Sequence, residues 1–305
     1  MKLILLTGFL GAGKTTLLKK LLNEYQGRKI GVLMNEFGEI GIDGQLIKNE
    51  NFDLIELNNG SVFCACLKEN FINGLAEFLN HELEIVFVES SGVADPANMG
   101  IILEMVTKIT GKYYDYLGSI CIVDGRFFLK QFDVIAALEK QIIYASKVII
   151  NKADLQNPET LQEIVQKITT LNPTTEIYQA SFCQVPLAEL VMTMSSQSSQ
   201  NSRSINTWES RPQACVLRTD AVLDYQAFEK FLDEMKFCTH RLKGFVKTDQ
   251  GIFEVCGVSD LASLKRWDEA VETTEIVLIS AVGIRMISDL LRLWKQYFGD
   301  TPMQI

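Results

Sequence analysis

Histidine is scarce in this chain: His81 and His240 are the two examples among 305 residues, and neither has a partner at metal-ligand spacing. Each therefore reads as a structural or solvated residue. No uncharged stretch reaches the roughly 18 residues of a membrane-spanning helix, so no membrane span is expected. Basic residues are outnumbered 38 to 29 by acidic ones, giving a net charge of −9 and a pI of about 5.0. That field repels phosphate backbones and anionic headgroups, which argues against nucleic acid and membrane surfaces as partners. The seven cysteines are odd in number and mostly scattered, unlike the even, regularly spaced set of a secreted disulfide scaffold. Reduced thiols and a cytoplasmic location are expected. Cys121, Cys183, Cys215, Cys238 and Cys256 lie in apolar stretches and read as small core residues, while Cys64 and Cys66 are close together. The first ten residues resemble a short signal peptide, with one lysine before an apolar run. They continue into Gly11-Ala12-Gly13-Lys14 without a small-residue cleavage site, so they read as a buried strand.

What is abundant is short aliphatic runs, at residues 3–6, 30–34, 54–57, 85–88, 120–123 and 148–150, with helical patterns between them. Unbroken apolar runs indicate strands covered on both faces, and intervening helices make the connections parallel. The expectation is an α/β doubly wound sheet. Residues 195–204 are rich in Ser, Gln and Asn and have no hydrophobic period, which marks a linker. Beyond it the pattern predicts strands at 214–219 and 276–281, helices at 225–235 and 284–297, and a hairpin of 244–248 with 252–258. The expected organisation is a phosphate-binding α/β domain over 1–194, a linker over 195–206 and a small α+β domain over 207–305.

Gly8-Phe9-Leu10-Gly11-Ala12-Gly13-Lys14-Thr15 fits G-x-x-x-x-G-K-[ST] between a predicted strand and a predicted helix over 16–25. Glycines at 8, 11 and 13 let the main chain curl so that N–H groups, including that of Ala12, converge on a phosphate at the helix N-terminus. Lys14 can then reach the β/γ oxygens, the Thr15 hydroxyl can ligate Mg²⁺, and Thr16 can contact the α-phosphate. A strand ending in Glu89, followed by Ser90-Ser91-Gly92, would lie beside that loop in a P-loop fold. Glu89 could hold Mg²⁺ or its water, and the Gly92 N–H could face the γ-phosphate. Asp95 reads either as a switch contact or as a helix N-cap before Pro96. Asn151-Lys152-Ala153-Asp154, at another strand end, matches the guanine-reading pattern N-K-x-D. Asp154 can accept the ring N–H and exocyclic amino hydrogens of guanine, a pairing that adenine cannot supply. Lys152 can lie along the base, Asn151 can tie this loop to the phosphate loop, and Ala180-Ser181 can supply a backbone contact to the base. GTP and GDP are therefore the expected ligands. No glutamine or arginine is placed by a motif to orient an attacking water.

Asn35-Glu36-Phe37-Gly38-Glu39-Ile40-Gly41-Ile42-Asp43 follows the second strand. It reads either as a solvated acidic loop or as a nucleotide-sensitive switch with Asp43 near Mg²⁺. The segment from Glu56 to Cys66 precedes a helix expected to begin near Glu69. Two thiols separated by one residue can face one soft cation, with carboxylates completing the shell, or they can be buried structural thiols or a redox pair.

The motifs G-F-L-G-A-G-K-T-T, N-E-F-G-E-I-G-I-D, E-L-N-N-G, E-S-S-G-V-A-D-P and N-K-A-D occur in the order found in CobW-like P-loop GTPases. The resemblance covers residues 1 to about 190 strongly and extends more weakly past the linker through Arg241-Leu242-Lys243-Gly244. It implies a P-loop NTPase fold and GTP hydrolysis coupled to transfer of Zn²⁺ or a similar transition metal. The recipient would be a client metalloprotein or a cofactor-synthesis enzyme, and a homodimer is left open. It also places the metal in the cysteine loop. The family's loop reads G-C-x-C-C, whereas here Gly60 is followed by Ser61, Val62, Phe63 and Cys64, with a further cysteine at 66. Cys64 and Cys66 are expected to rebuild the site in a shifted register, with Glu36 or Glu39 as additional ligands. The alternatives are a GTP-dependent regulatory switch that handles no metal, and a P-loop ATPase or kinase in which N-K-A-D is accidental. The His-rich tract of some family members is absent, which argues against a storage role.

Overall fold

Strand β1 (Lys2–Thr7) shows why unbroken apolar runs mean burial on both faces. Leu3 and Leu5 join one core with Leu33, Val86 and Val88, while Ile4 and Leu6 join another with Val32, Met34 and Phe87. The computed structural model describes residues 1–35, 53–57, 65–92, 94–132, 135–196, 214–258, 260–280, 283 and 285–305, with backbone alone at 35, 53–57, 65–68, 136 and 214. Among these, β1 is the centre of a seven-stranded sheet with β2 (Ile30–Asn35), β3 (Asp53–Leu57), β4 (Ile85–Glu89), β5 (Asp115–Asp124), β6 (Ala145–Asn151) and β7 (Glu176–Gln179). The order is β3-β2-β4-β1-β5-β6-β7, and every pairing is parallel.

Helices cover both faces of that sheet. On one face lies α1 (Lys14–Glu24), whose Leu17, Leu18, Leu21 and Leu22 are at most 3% exposed, together with α7 (Leu187–Met192). Burying four such leucines contributes about 6–12 kcal/mol of gross transfer energy, which fixes α1 and hence the loop that precedes it. On the other face lie α2 (Ala65–Phe78), α3 (Met99–Thr110), α4 (Phe128–Phe132), α5 (Ala136–Ile143) and α6 (Pro158–Leu171). The doubly wound parallel sheet expected from the runs is the one observed. Its strands extend past the apolar runs, most of all β5, because pairing continues into residues of weaker hydrophobicity.

The chain divides into two compact units, Met1–Ser210 and Arg211–Ile305. The second is an antiparallel sheet in the order β11-β10-β9-β12-β8, formed by β8 (Ala214–Thr219), β9 (Thr239–Thr248), β10 (Gly251–Val258), β11 (Leu261–Trp267) and β12 (Thr274–Ser280). Helices α8 (Tyr225–Met235) and α9 (Arg285–Phe298) fill its core with Phe228, Phe231, Leu290 and Trp294. Strand β11 is an addition to the expected elements. It is an edge strand with no fully buried residue, so its sequence carries no apolar run. Among the described residues no helix is long and apolar enough to cross a membrane.

Candidate nucleotide site

All seven strands of the first sheet run the same way, so the segments that follow β1, β4, β6 and β7 emerge at one edge. In doubly wound sheets that edge is where ligands bind. Helix α1 starts there at Lys14, two residues earlier than its pattern suggested, so that Lys14 and Thr15 stand in its first turn and exposed Thr16 beside them. Its N-cap, Gly13, has φ 118°, no side chain caps the helix, and no acidic residue occupies its first turn. The first-turn N–H groups and the positive end of the helix dipole are thereby kept for an anion. A side chain at 13 has no room: a Cβ there would lie 2.5 Å from Asn151 Nδ2.

Lys14 is 7% exposed, and its Nζ donates to the carbonyls of Gly8 (3.0 Å) and Phe9 (3.3 Å). The ammonium is thus wrapped by the loop that it would serve. Thr15 Oγ1 donates to Glu89 Oε1 at 2.9 Å, which joins the start of α1 to the end of β4. Beyond Glu89, Ser90 binds the Leu6 carbonyl through both its N–H and its hydroxyl. Gly92 abuts the phosphate loop so closely that a Cβ would come within 2.8 Å of the Leu10 nitrogen. Asp95 accepts from the Ala97 N–H at 2.9 Å and caps the short 3₁₀ turn Pro96–Asn98, so capping is the role its geometry has.

The N-K-x-D segment is tied to this loop at two points. Asn151, 3% exposed, donates to the Ala12 carbonyl and accepts from the Cys183 N–H, both at 2.8 Å. Lys152, in the left-handed region at φ 59°, sends Nζ to Gly11 O (2.9 Å) and to Asp124 Oδ2 (2.5 Å). Exposed Asp154 accepts from the Ser181 hydroxyl, and the Ala153 N–H binds Ala180 O at 3.0 Å. The structure therefore gathers Gly8, Gly11, Ala12, Gly13, Lys14, Thr15, Asn151, Lys152, Asp154 and Ser181 into one connected cluster, with Glu89 and Gly92 on its β4 side.

A model of the CobW/HypB/UreG nucleotide-binding domain matches residues 2–179, and one of the cobalamin synthesis protein CobW C-terminal domain matches residues 213–292. The chain belongs to the CobW/HypB/UreG family. Among its relatives, the zinc chaperone YjiA of Escherichia coli is 32% identical over 197 residues, which is 62% of this chain and 60% of the relative. The zinc chaperone CobW of Pseudomonas aeruginosa is 28% identical over 228 residues, 61% of this chain and 58% of the relative. The chain thus spans under two thirds of the length of these relatives. The crystal structure of Zn(II)-bound YjiA GTPase from E. coli aligns with a TM-score of 0.49 at 22% identity, covering 97% of this chain and 98% of that one.

Several expected positions of this CobW-family chain stand elsewhere or outside the described residues. Glu36, Glu39, Asp43 and Cys64 lie outside them. Helix α2 begins at Ala65, four residues before the expected start near Glu69, so the backbone of Cys66 belongs to the helix and not to the turn before it. Among the described residues no group of three or more His, Cys, Asp or Glu residues is arranged to hold a metal. One of the five cysteines read as core is not core: Cys256 is exposed, because its position on β10 points away from the packed face. Half-buried Cys215 and Cys238 pack against the core of the second unit, and Cys238 also contacts Asp289 Oδ2 at 3.8 Å. Cys183 is buried, but as part of the site: its Sγ lies 3.6 Å from Gly13 O and burial pushes its thiol up to about 11. Phe182 and Cys183 both have positive φ, 51° and 53°, backbone that no local sequence signal announces. His81 packs edge-on to Phe78, and His240 is held down to about 4 by burial.

Proposed function

We propose that this chain binds and hydrolyses GTP and couples its nucleotide state to handover of a transition metal of the zinc or cobalt class. The observation that carries the reading is the pair of ties, Asn151 to Ala12 and Lys152 to Gly11, that joins the base-reading segment to the phosphate loop. One ligand with a guanine at one end and phosphates at the other fits that connection.

In this reading the loop N–H groups and the first turn of α1 receive the β-phosphate. Lys14 exchanges the carbonyls of Gly8 and Phe9 for phosphate oxygens. Asp154 accepts the guanine ring N–H and amino group, each charge-assisted bond contributing about 1.5–3 kcal/mol, which selects GTP over ATP. The Thr15 hydroxyl and the Glu89 carboxylate, 2.9 Å apart, are hard oxygen donors that suit Mg²⁺, and Asp43 is assigned beside them from sequence. When bound there, Mg²⁺ would offset the negative charge that develops during phosphoryl transfer. The Gly92 N–H serves the γ-phosphate, with Lys14, Thr15, Glu89 and Gly92 carrying the hydrolytic step. Slow intrinsic turnover, raised by a partner, is expected.

The metal is cargo, held by Cys64 and Cys66 with Glu36 or Glu39. Relatives named zinc chaperones support zinc. We assign residues 1–194 to nucleotide and metal, 195–206 to a linker and 207–305 to docking a client metalloprotein or cofactor-synthesis enzyme in the cytoplasm. Ser61 and Phe63, standing where the family places cysteines, favour one competing reading: a regulatory switch that recruits a partner without metal.

Titration with Zn²⁺ or Co²⁺ under reducing conditions, with GDP and with a non-hydrolysable GTP analogue, tests both halves. Stoichiometric uptake that differs between nucleotides and is lost in Cys64→Ser/Cys66→Ser is the expected result. By linkage, metal must then shift nucleotide affinity by the same factor. No uptake, with GTP binding intact, makes the chain a regulatory switch. Unchanged GTP binding in Asp154→Asn sinks the guanine assignment.

A further inference from the structure

We propose that Gln141 is the positioning residue that holds the loop after β4 for γ-phosphate sensing, an inference that rests on the GTP reading above. Gln141 lies on α5, outside every nucleotide-binding motif, and is fully buried. Its Nε2 forks onto two main-chain oxygens of that loop, Gly92 O at 3.2 Å and Ala94 O at 3.1 Å. Its Oε1 is buried with no hydrogen-bond partner among the described residues.

An apolar side chain of the same size would fill this position without leaving a buried oxygen unsatisfied, so packing does not explain the amide. The two carbonyls do. They belong to a segment that touches the phosphate loop on its other side, where Gly92 meets Leu10. The segment is also folded by a turn from the Ala94 N–H to Ser91 O at 3.0 Å and ends at the Asp95 cap. Fixing the Gly92 carbonyl fixes ψ at the one residue there with wide backbone freedom. Gly92 is thereby held between Leu10 and Gln141, and Ala94 is tied to the same amide, with the Gly92 N–H kept beside the phosphate loop. A nucleotide without a γ-phosphate makes no demand on this clamp; one with it does.

The test compares full-length wild type with Gln141→Leu and Gln141→Glu. Leucine keeps the burial and removes both donors, and glutamate faces the two carbonyls with oxygen. Affinities for GDP and GTPγS, the kcat for GTP and thermal unfolding are measured for each. In Gln141→Leu, GDP affinity should stay within twofold, GTPγS affinity should fall at least fivefold and kcat should fall at least fivefold, with Gln141→Glu no milder. Equal losses for both nucleotides would make Gln141 a merely structural residue, and no loss for either would remove its role. Both outcomes overturn the inference. If the leucine variant does not fold, Gln141→Asn, one methylene short of the loop, must show the same split. Hydrogen exchange in wild type gives a second measurement: amides of 90–98 should slow with GTPγS and not with GDP, and equal slowing overturns the proposal. A wild-type chain that binds no guanine nucleotide defeats the GTP reading itself, a result separate from either loss pattern.

Discussion

Replacing Asn151 with alanine should dismantle the joint between the base-reading and phosphate-binding segments. The side chain makes two hydrogen bonds of 2.8 Å, to the Ala12 carbonyl and from the Cys183 N–H, at a position 3% exposed. Its removal strands a buried acceptor and a buried donor, at about 1–3 kcal/mol each, so the first unit should lose about 2–6 kcal/mol. Asn151→Asp keeps the acceptor for Cys183 but turns an anionic oxygen toward the Ala12 carbonyl, and should be at least as damaging. Urea unfolding followed by far-UV circular dichroism reads this loss. Trp267 and Trp294 lie in the second unit and Trp208 near the end of the first, so in a Trp208→Phe background tryptophan fluorescence follows the second unit as an internal control. GDP affinity should fall at least tenfold, the equivalent of about 1.4 kcal/mol, since the loop loses its restraint. A variant that loses less than about 1 kcal/mol and binds GDP as wild type does would refute the view that Asn151 organises the site.

Phe182 has φ 51° and is 73% exposed, so glycine should be favoured over alanine there by about 1 kcal/mol. This is opposite in sign to the ordinary preference, and thermal melts of Phe182→Gly and Phe182→Ala compare the two. His240 titrates near 4 in the folded chain because burial disfavours its charged form, against 6.5 when exposed. Its contribution is complete above pH 6.5 and is lost as pH falls toward 4, amounting to about 2 kcal/mol between pH 7 and pH 5. Urea midpoints read by tryptophan fluorescence should show this slope in wild type and a flatter one in His240→Gln; identical slopes would remove its basis.

The sheet was legible because its signal is redundant: each parallel strand buries both faces and so advertises itself as an uninterrupted aliphatic run. Strand β11 gave no such signal, being an edge strand whose exposed and half-buried positions alternate. The phosphate loop and N-K-x-D were legible because backbone geometry restricts which residues can stand at 8 and 13, and a side chain that both donates and accepts is needed at 151. Gln141 and Cys183 were not. Gln141 looks like a surface residue in Ala-Leu-Glu-Lys-Gln-Ile-Ile, and Cys183 like a core thiol. Their partners, Gly92, Ala94, Asn151 and Gly13, are distant in sequence, and no local pattern encodes a contact at that range.

That range has a consequence for how the protein is made. The carbonyl of Ala12 waits for a donor 139 residues later, and that of Gly13 for a thiol 170 residues later. On the ribosome, the phosphate loop emerges well before its supports at Asn151 and Cys183. A nascent chain that ends before β6 and β7 has docked carries the complete G-x-x-x-x-G-K-T signature but not the struts that hold it. Contacts of such separation also form slowly. Completion of the phosphate loop's supports thereby becomes a late event in the folding of the first unit.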